Sequence, residues 1–542
     1  MSLRLTAEQE SKLNDLFKQW DNQDGPGAVV GVSAGGETVY EAAFGLSSVQ
    51  LGTLNKVDTR LRIASVSKQF ACMAALLLQE RGTFDVEAPL KRYIDDLPEH
   101  TALVTPTQLM MHTGGLRCFL DLTLLSNGFS LIPTDAPLEY QRIQSQGNFA
   151  PGEQMNYNNG AYQLLCLAME RAVGAPFETI LADLIFKPLG MANTLLHRND
   201  LDLLPGLADL HLPLSSGGFR RGIFPSDSLA DGGVVSTVGD MLQWGRQFNA
   251  ASRTLGGAET WAKFMQRPTY QNGRIGTYGA GLIHWPLCGL EAIQHSGGVL
   301  GGTSQFVYVP SQDVCIAIMT NRSDANPIEL SARIFEIVVP AHLSAPLVPA
   351  LAEDYLPFVG KYFCTAKGLT AELLVSQEKL ALSFNQGNAL PLVRDGAGHC
   401  YRVDVPGTGD IAIDLAYAFE HDGLLMIEAG GSSEEYQKVS VDAPSVDVLS
   451  AAITGSYESP DLQAKANIYR EDDKLLLRVQ GRFGRNTFLL APIFDNVIGM
   501  KTQEIPLPLT GTIVVDDQRA GFQMNTGRTR GLQFKRIALN SL

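Results

Sequence analysis

The chain has 542 residues, 45% of them apolar, and a formal charge of −15, which leaves room for three or four domains of roughly 150 residues with sizeable cores. It has no basic run and no cluster of Lys or Arg with aromatics, so nothing can grip a phosphate backbone and nucleic acid is not an expected partner. The longest apolar stretch, residues 70–78, is far short of the roughly 20 residues of a membrane-spanning helix, so no membrane is expected either.

The first ten residues are polar and acidic and lack the apolar stretch of a secretory signal, so a cytoplasmic location is expected. An amphipathic start (Leu13, Leu16, Phe17, Trp20) reads as a helix, and residues 28–33 and 38–44 around Gly35-Gly36 read as a hairpin. Helical patterns follow over 66–81, 162–173 and 177–184, and strands return at 302–308 and 314–320. Helices between an early hairpin and late strands predict an α+β domain over residues 1–342 with one mixed, largely antiparallel sheet.

The texture changes near Pro340. Ala345-Pro-Leu-Val-Pro-Ala350 reads as a linker, and short alternating segments broken by Gly, Asp and Asn follow. Val359-Gly-Lys-Tyr362 and Thr454-Gly-Ser-Tyr457 recur 95 positions apart, each opening an all-β segment, which predicts two small β-barrel or sandwich domains, 343–446 and 447–542, either as a duplicated pair or with a two-residue Gly/Tyr match that is coincidence. The seven scattered cysteines read as reduced, mostly buried thiols. The nine histidines form no metal-ligand spacing, so no metal is expected.

Motif strings of serine chemistry occur in several copies, and context separates them. Ser65-Val-Ser-Lys68 opens a helix whose apolar positions are Val66, Phe70, Met73 and Leu77, with Gly82 as the stop. Ser65 then lies in the first turn, where unpaired N–H groups favour a negative oxygen, and Lys68 at i+3 shares its face. A lysine so placed acts as a base if burial lowers its pKa and otherwise stabilises an anion beside it. The bland alternative is a capping serine with a solvated lysine. Ser376-Gln-Glu-Lys379 lies between two alternating runs and reads as a hairpin turn. Gly31-Val-Ser33-Ala-Gly35 has the letters of a nucleophile elbow but is followed by a strand pattern rather than a helix. Tyr157-Asn-Asn159 precedes a helix and makes a good mount for a phenol, whereas Tyr270-Gln-Asn272-Gly273 ends in the commonest tight-turn pair. His295-Ser-Gly-Gly298 precedes a strand, where its glycines would let backbone approach a ligand; His112-Thr-Gly-Gly115 reads as a loop former.

In this order, these elements resemble the penicillin-recognising serine hydrolases: class C β-lactamases, DD-peptidases, related esterases and D-aminopeptidases. The likeness runs over residues 25–321 and includes Leu109-Met-Met-His-Thr-Gly-Gly-Leu116, Pro151-Gly-Glu, Pro188-Leu-Gly-Met191, Ser236-Thr-Val-Gly-Asp-Met241 and Met319-Thr-Asn321. It implies a β-lactamase/DD-peptidase-like α+β catalytic domain, with helices around an antiparallel sheet, ahead of two antiparallel β-barrels. By the same resemblance Ser65 is the acylated nucleophile, Lys68 its activating partner and Tyr157 the proton shuttle. Asn159 becomes a donor to the substrate, and His295 stands where many relatives carry the lysine of K-T-G. Gly297 and Gly298 are substrate-binding positions, with the N–H groups of Ser65 and Gly298 as the oxyanion hole. No cofactor is implied.

A histidine in the third box is only partly charged near neutral pH, which weakens the reading as a β-lactamase or DD-peptidase. With two β domains behind it, the chain is most similar to the D-aminopeptidase branch, in which a loop of the last β domain reaches the active site. The expected partner is a small peptide, amide or ester carrying an N-terminal D-residue; an esterase or broad amidase, or a DD-peptidase-like penicillin-binding protein, is the alternative, and a homodimer stays open. Asp495 is a candidate for the carboxylate that a substrate ammonium wants, or a simple turn aspartate.

Overall fold

The structure is a computed structural model that describes residues 4–224, 226–340, 348–350, 352–394, 400–403, 411–421, 423–439, 443–503 and 509–537. The early hairpin forms from Ala28–Ala34 and Glu37–Phe44, with Gly35 and Gly36 at φ +59° and +77°, the left-handed pair that a two-residue hairpin turn requires. Successive side chains of the first strand point to opposite faces. Val29 therefore joins the core around helix Ser67–Glu80, while Ala28, Val30 and Val32 join the core beneath helices Ala7–Phe17 and Pro327–Val338.

The strand lies next to the edge of a six-stranded sheet ordered Ile283–His284, Ile293–Val299, Gly302–Val309, Val314–Thr320, Ala28–Ala34, Glu37–Phe44. Every pairing in it is antiparallel, so the expected mixed sheet is purely antiparallel. Helix Ser67–Glu80 is buried from Ser67 through Leu78, as a helix apolar on all sides must be.

Beyond the six-stranded sheet and its helices, two closed eight-stranded barrels run over 360–438 and 455–537, each with its strands in chain order. The repeated Gly-x-Tyr segments occupy matching places. Tyr362 and Tyr457 are both buried, and each donates its hydroxyl to the carbonyl four residues back, at Phe358 (2.5 Å) and Ile453 (2.6 Å). Gly360 and Gly455 sit at φ +148° and +157°, backbone that side chains disfavour. Of the expected linker, residues 345–347 lie outside the described residues; Ala350 is bonded into the first barrel through Leu392 O and Leu380 N. Helix Val446–Ile453 joins the second barrel's core through Leu449 and Ile453.

The decoy strings fall where their flanking patterns put them. Ser33 pairs with Cys315 and Thr38 inside the sheet, and Ser376 pairs with Lys379 across a turn whose Gln377 and Glu378 have positive φ. Five of the seven cysteines, Cys72, Cys118, Cys166, Cys315 and Cys364, are buried as free thiols. Among the described residues, no helix is long and apolar enough to cross a membrane, and no group of His, Cys, Asp or Glu is placed to hold a metal ion.

Candidate active site

Ser65 sits in a tight 3₁₀ turn, Ala64–Val66, that leads into helix Ser67–Glu80. Its neighbour Ala64 has φ +48°, a conformation that costs a non-glycine residue about 1 kcal/mol or more and persists only where its surroundings enforce it. The enforcement comes from the sheet. Ser304 donates to Ile63 O at 2.7 Å, and strand Ile293–Val299 passes so close that a methyl on Gly297 would lie 2.4 Å from the same oxygen. Gly297 is thus a packing glycine beneath the serine. Gly298 differs: it is exposed, it lines the cavity, and a methyl there would meet nothing within 4 Å.

Lys68 is fully buried, and its ammonium donates to Ser65 Oγ (3.0 Å), Asn159 Oδ1 (2.9 Å) and the carbonyl of Asp231 (2.6 Å). These three acceptors match the three donors of the group. Asn159 is the first residue of helix Asn159–Val173, three positions earlier than the apolar pattern indicates, because Asn158 caps the helix through its side chain onto Ala161 N. Tyr157 is half-buried, with its ring centroid 4.9 Å from Lys68 Nζ.

His295 is buried. Its Nδ1 lies 2.6 Å from Ser296 O, so that nitrogen donates, and Nε2 at 2.9 Å then accepts from the Tyr278 hydroxyl. Burial first, and then the Lys68 cation, push its pKa down to about 3. The partial charge expected of this histidine is therefore absent at neutral pH, and the third box presents a neutral ring.

Ser65, Tyr157, Asn159, His295 and Gly298 line one cavity of about 550 Å³. Leu120, Phe224, Ile283, Val299 and Leu300 give it an apolar wall. Asp231 is its one carboxylate among the described residues, raised by burial against the pull of Lys68. Asp495 lies elsewhere, in the turn between strands Arg485–Phe494 and Val497–Thr502.

Three contributors escaped the sequence reading. His112, expected only to shape a loop, packs its ring 4.3 Å from Tyr157 and 4.6 Å from Tyr278, and its Nδ1 accepts the Asn158 N–H at 3.1 Å. It thereby fixes the Tyr157 segment; the duplicated H-[ST]-G-G string was the available signal. Tyr278 and Arg528 belong to no motif. Arg528 comes from the second barrel, in the loop between Gly521–Thr526 and Leu532–Ile537, and its guanidinium carbon stands 5.0 Å from the Tyr157 ring centroid.

Comparison with known proteins fits this geometry. The Beta-lactamase family profile matches residues 13–339. The chain belongs to the Beta-lactamase family. A protein named D-aminopeptidase from Cereibacter sphaeroides is 25% identical over 513 residues, covering 92% of each chain. Another D-aminopeptidase, from Brucella anthropi, is 28% identical over 296 residues, 52% of this chain and 54% of that one. Among solved structures, an octameric penicillin-binding protein homologue from Pyrococcus abyssi shares the fold with TM-score 0.53 and 18% identity, over 97% of this chain and 99% of its own. A D-amino acid amidase from Ochrobactrum anthropi SV3 shares it with TM-score 0.51 and 21% identity, over 62% and 99%.

Proposed function

We propose that this chain is a D-aminopeptidase: a serine hydrolase that releases N-terminal D-amino acids from small peptides, amides or esters through an acyl-enzyme on Ser65. The observation that carries this reading is the D-aminopeptidase likeness over 92% of both chains, both barrels included. The Ser65, Lys68 and Asn159 cluster beneath an apolar cavity supports it.

In this reading Ser65 Oγ attacks the scissile carbonyl and passes its proton to Tyr157. Lys68, its three donors occupied, stabilises the serine oxygen and the phenolate rather than taking the proton. The N–H groups of Ser65 and Gly298 hold the tetrahedral oxyanion. Tyr157 then returns the proton to the leaving amine, and water hydrolyses the ester by the same route. Asn159 has its oxygen engaged by Lys68, so its amide N–H faces the substrate. The apolar wall favours an apolar side chain on the released residue. The division into a catalytic domain, 1–342, and barrels 343–446 and 447–542 belongs to the same reading.

The test compares D-alanine p-nitroanilide with its L-enantiomer, its N-acetylated form and p-nitrophenyl acetate. Turnover of the free D-amine alone is expected, with an acyl adduct on Ser65 by mass spectrometry. Equal turnover with the amine blocked removes the aminopeptidase reading in favour of a broad amidase or esterase.

A further inference from the structure

The loop that carries Arg528 is built into the catalytic domain rather than resting on it. Asn148 brackets it with Nδ2 on Arg528 O and Oδ1 on Arg530 N, both at 2.9 Å. Arg117 donates to Arg530 O and Gly531 O, also at 2.9 Å each, Asn156 donates to Gly527 O at 3.1 Å, and Thr526 donates to buried Asp121 at 2.6 Å. With the backbone held from both sides, the half-buried Arg528 side chain is delivered to the cavity wall. No ion pair satisfies it among the described residues. Asp121, the carboxylate that faces it, is bonded by Thr526, and the other groups nearby are the Lys68 ammonium and neutral His112.

The Tyr157 ring is thus flanked by two cations, Lys68 Nζ at 4.9 Å and Arg528 Cζ at 5.0 Å. Lys68 serves the nucleophile. Arg528 lies on the cavity side of the phenol that protonates the leaving amine. When the leaving group is an amino acid, its carboxylate oxygens lie about 3 Å from that nitrogen on standard bond lengths, and a guanidinium fork is the matched receptor for them.

Resting on the aminopeptidase reading, we propose that Arg528 binds the free carboxylate of the leaving residue, so that the preferred substrates are dipeptide-like D-aminoacyl amino acids rather than neutral amides.

The test is calorimetry on the full chain carrying Ser65→Ala, which cannot turn substrate over. It uses D-alanyl-glycine, D-alanyl-glycinamide and the N-acetylated form of each. Arg528 predicts that the acids bind about tenfold tighter than their amides. It predicts that Arg528→Gln abolishes the difference and that Arg528→Lys, which keeps the charge without the fork, retains part of it. Equal affinities for acid and amide with Arg528 in place, a preference that survives Arg528→Gln, or no binding of either acid overturns the proposal. An acid preference of the same size in the free-amine and the N-acetylated pair upholds Arg528 and removes the free-amine requirement. Equal binding of the two free-amine peptides, with D-alanine p-nitroanilide still hydrolysed by the wild type, removes Arg528 and leaves the aminopeptidase reading standing.

Discussion

The two barrels share strand number, strand order and a buried tyrosine hydrogen bond, yet the last hairpin of each does a different job at the active site. In the first barrel, strands Leu425–Ala429 and Ser432–Lys438 are joined by Gly430-Gly431. That tight turn meets the Tyr157 segment from behind, with Gly430 O accepting from Met155 N at 2.7 Å, and Gly431 seated on the Tyr270 ring. In the second barrel the equivalent connection is residues 527–531, long enough to place a side chain in the cavity. Two barrels of the same strand order thus differ in their last hairpin: one is a tight turn packed as a backstop against the Tyr157 segment, the other a longer loop that brings Arg528 to the cavity.

The sharpest way to break this asymmetry is to release the longer loop. Arg117 is fully buried, pairs with Asp461 at 2.6 Å, and holds the loop through two carbonyls. Arg117→Ala leaves the Asp461 carboxylate buried without its cation, which costs about 3–5 kcal/mol. Chemical denaturation is expected to show that loss, together with a drop in kcat/KM as Arg528 leaves the cavity. Unchanged kinetics in the folded variant would mean that the loop only decorates the site.

On the backstop side, Gly431 has φ +87°, and a methyl there would lie 2.0 Å from the Tyr270 ring. Gly431→Ala is expected to cost about 1–3 kcal/mol through strain and overpacking. It should raise KM and lower kcat together through Met155 and Tyr157, while the acid-over-amide preference stays that of the wild type. A change in that preference would contradict the division of labour.

Acid titration sharpens the comparison further. His295 has its pKa depressed to about 3 by burial and Lys68, and His112 is lowered well below 6.5 by burial, Lys68, His295 and Arg528. Between the unfolded value of roughly 6.5 and those depressed values, the unfolded chain binds more protons than the folded one. Stability is therefore complete above about pH 6.5 and falls as the pH drops towards 3. Replacing Arg528 with Gln removes one of the cations acting on His112, so its ring signals in an NMR titration should move to higher pKa. Gly431→Ala should leave them where they are.

The Ser65–Lys68 pair was legible because a spacing of three at the mouth of a buried helix brings a hydroxyl and an amine side by side, although Ser65 itself falls in the 3₁₀ turn just ahead of that helix rather than in its first turn. Tyr157-Asn-Asn159 and the His295 box were legible by their order behind it, and the barrels by period-two alternation and the recurring Gly-x-Tyr. What the barrels contribute to the site was not. The contacts that position the second barrel's loop run largely through carbonyls, at Gly527, Arg528, Arg530 and Gly531, and Gly430 O does the same for the first. A carbonyl is present at every residue and leaves no mark in composition. Asp495 attracted attention because it has the right charge, whereas the side chain that arrives is an arginine of the opposite sign, 371 residues beyond the segment it meets, counted from Asn156 to Gly527. Lys68 also made a second cation beside Tyr157 hard to anticipate, since sequence gives no hint that the two share a ring.

The smallest expected effect tests whether the two barrels are one design at all. Tyr362 and Tyr457 each bury a ring and donate to the carbonyl four residues back. Removing the hydroxyl alone, as Tyr362→Phe or Tyr457→Phe, leaves the ring in place and one buried carbonyl without its donor, a loss of about 1 kcal/mol in each barrel. Matched losses are expected by denaturation, additive in the double variant because the two sites share no partner, with the acid-over-amide preference intact in all three proteins. Unequal losses would indicate that the barrels diverged in their cores as well as in their last hairpins; a change in preference for Tyr457→Phe alone would show that the second barrel passes strain from its core to Arg528.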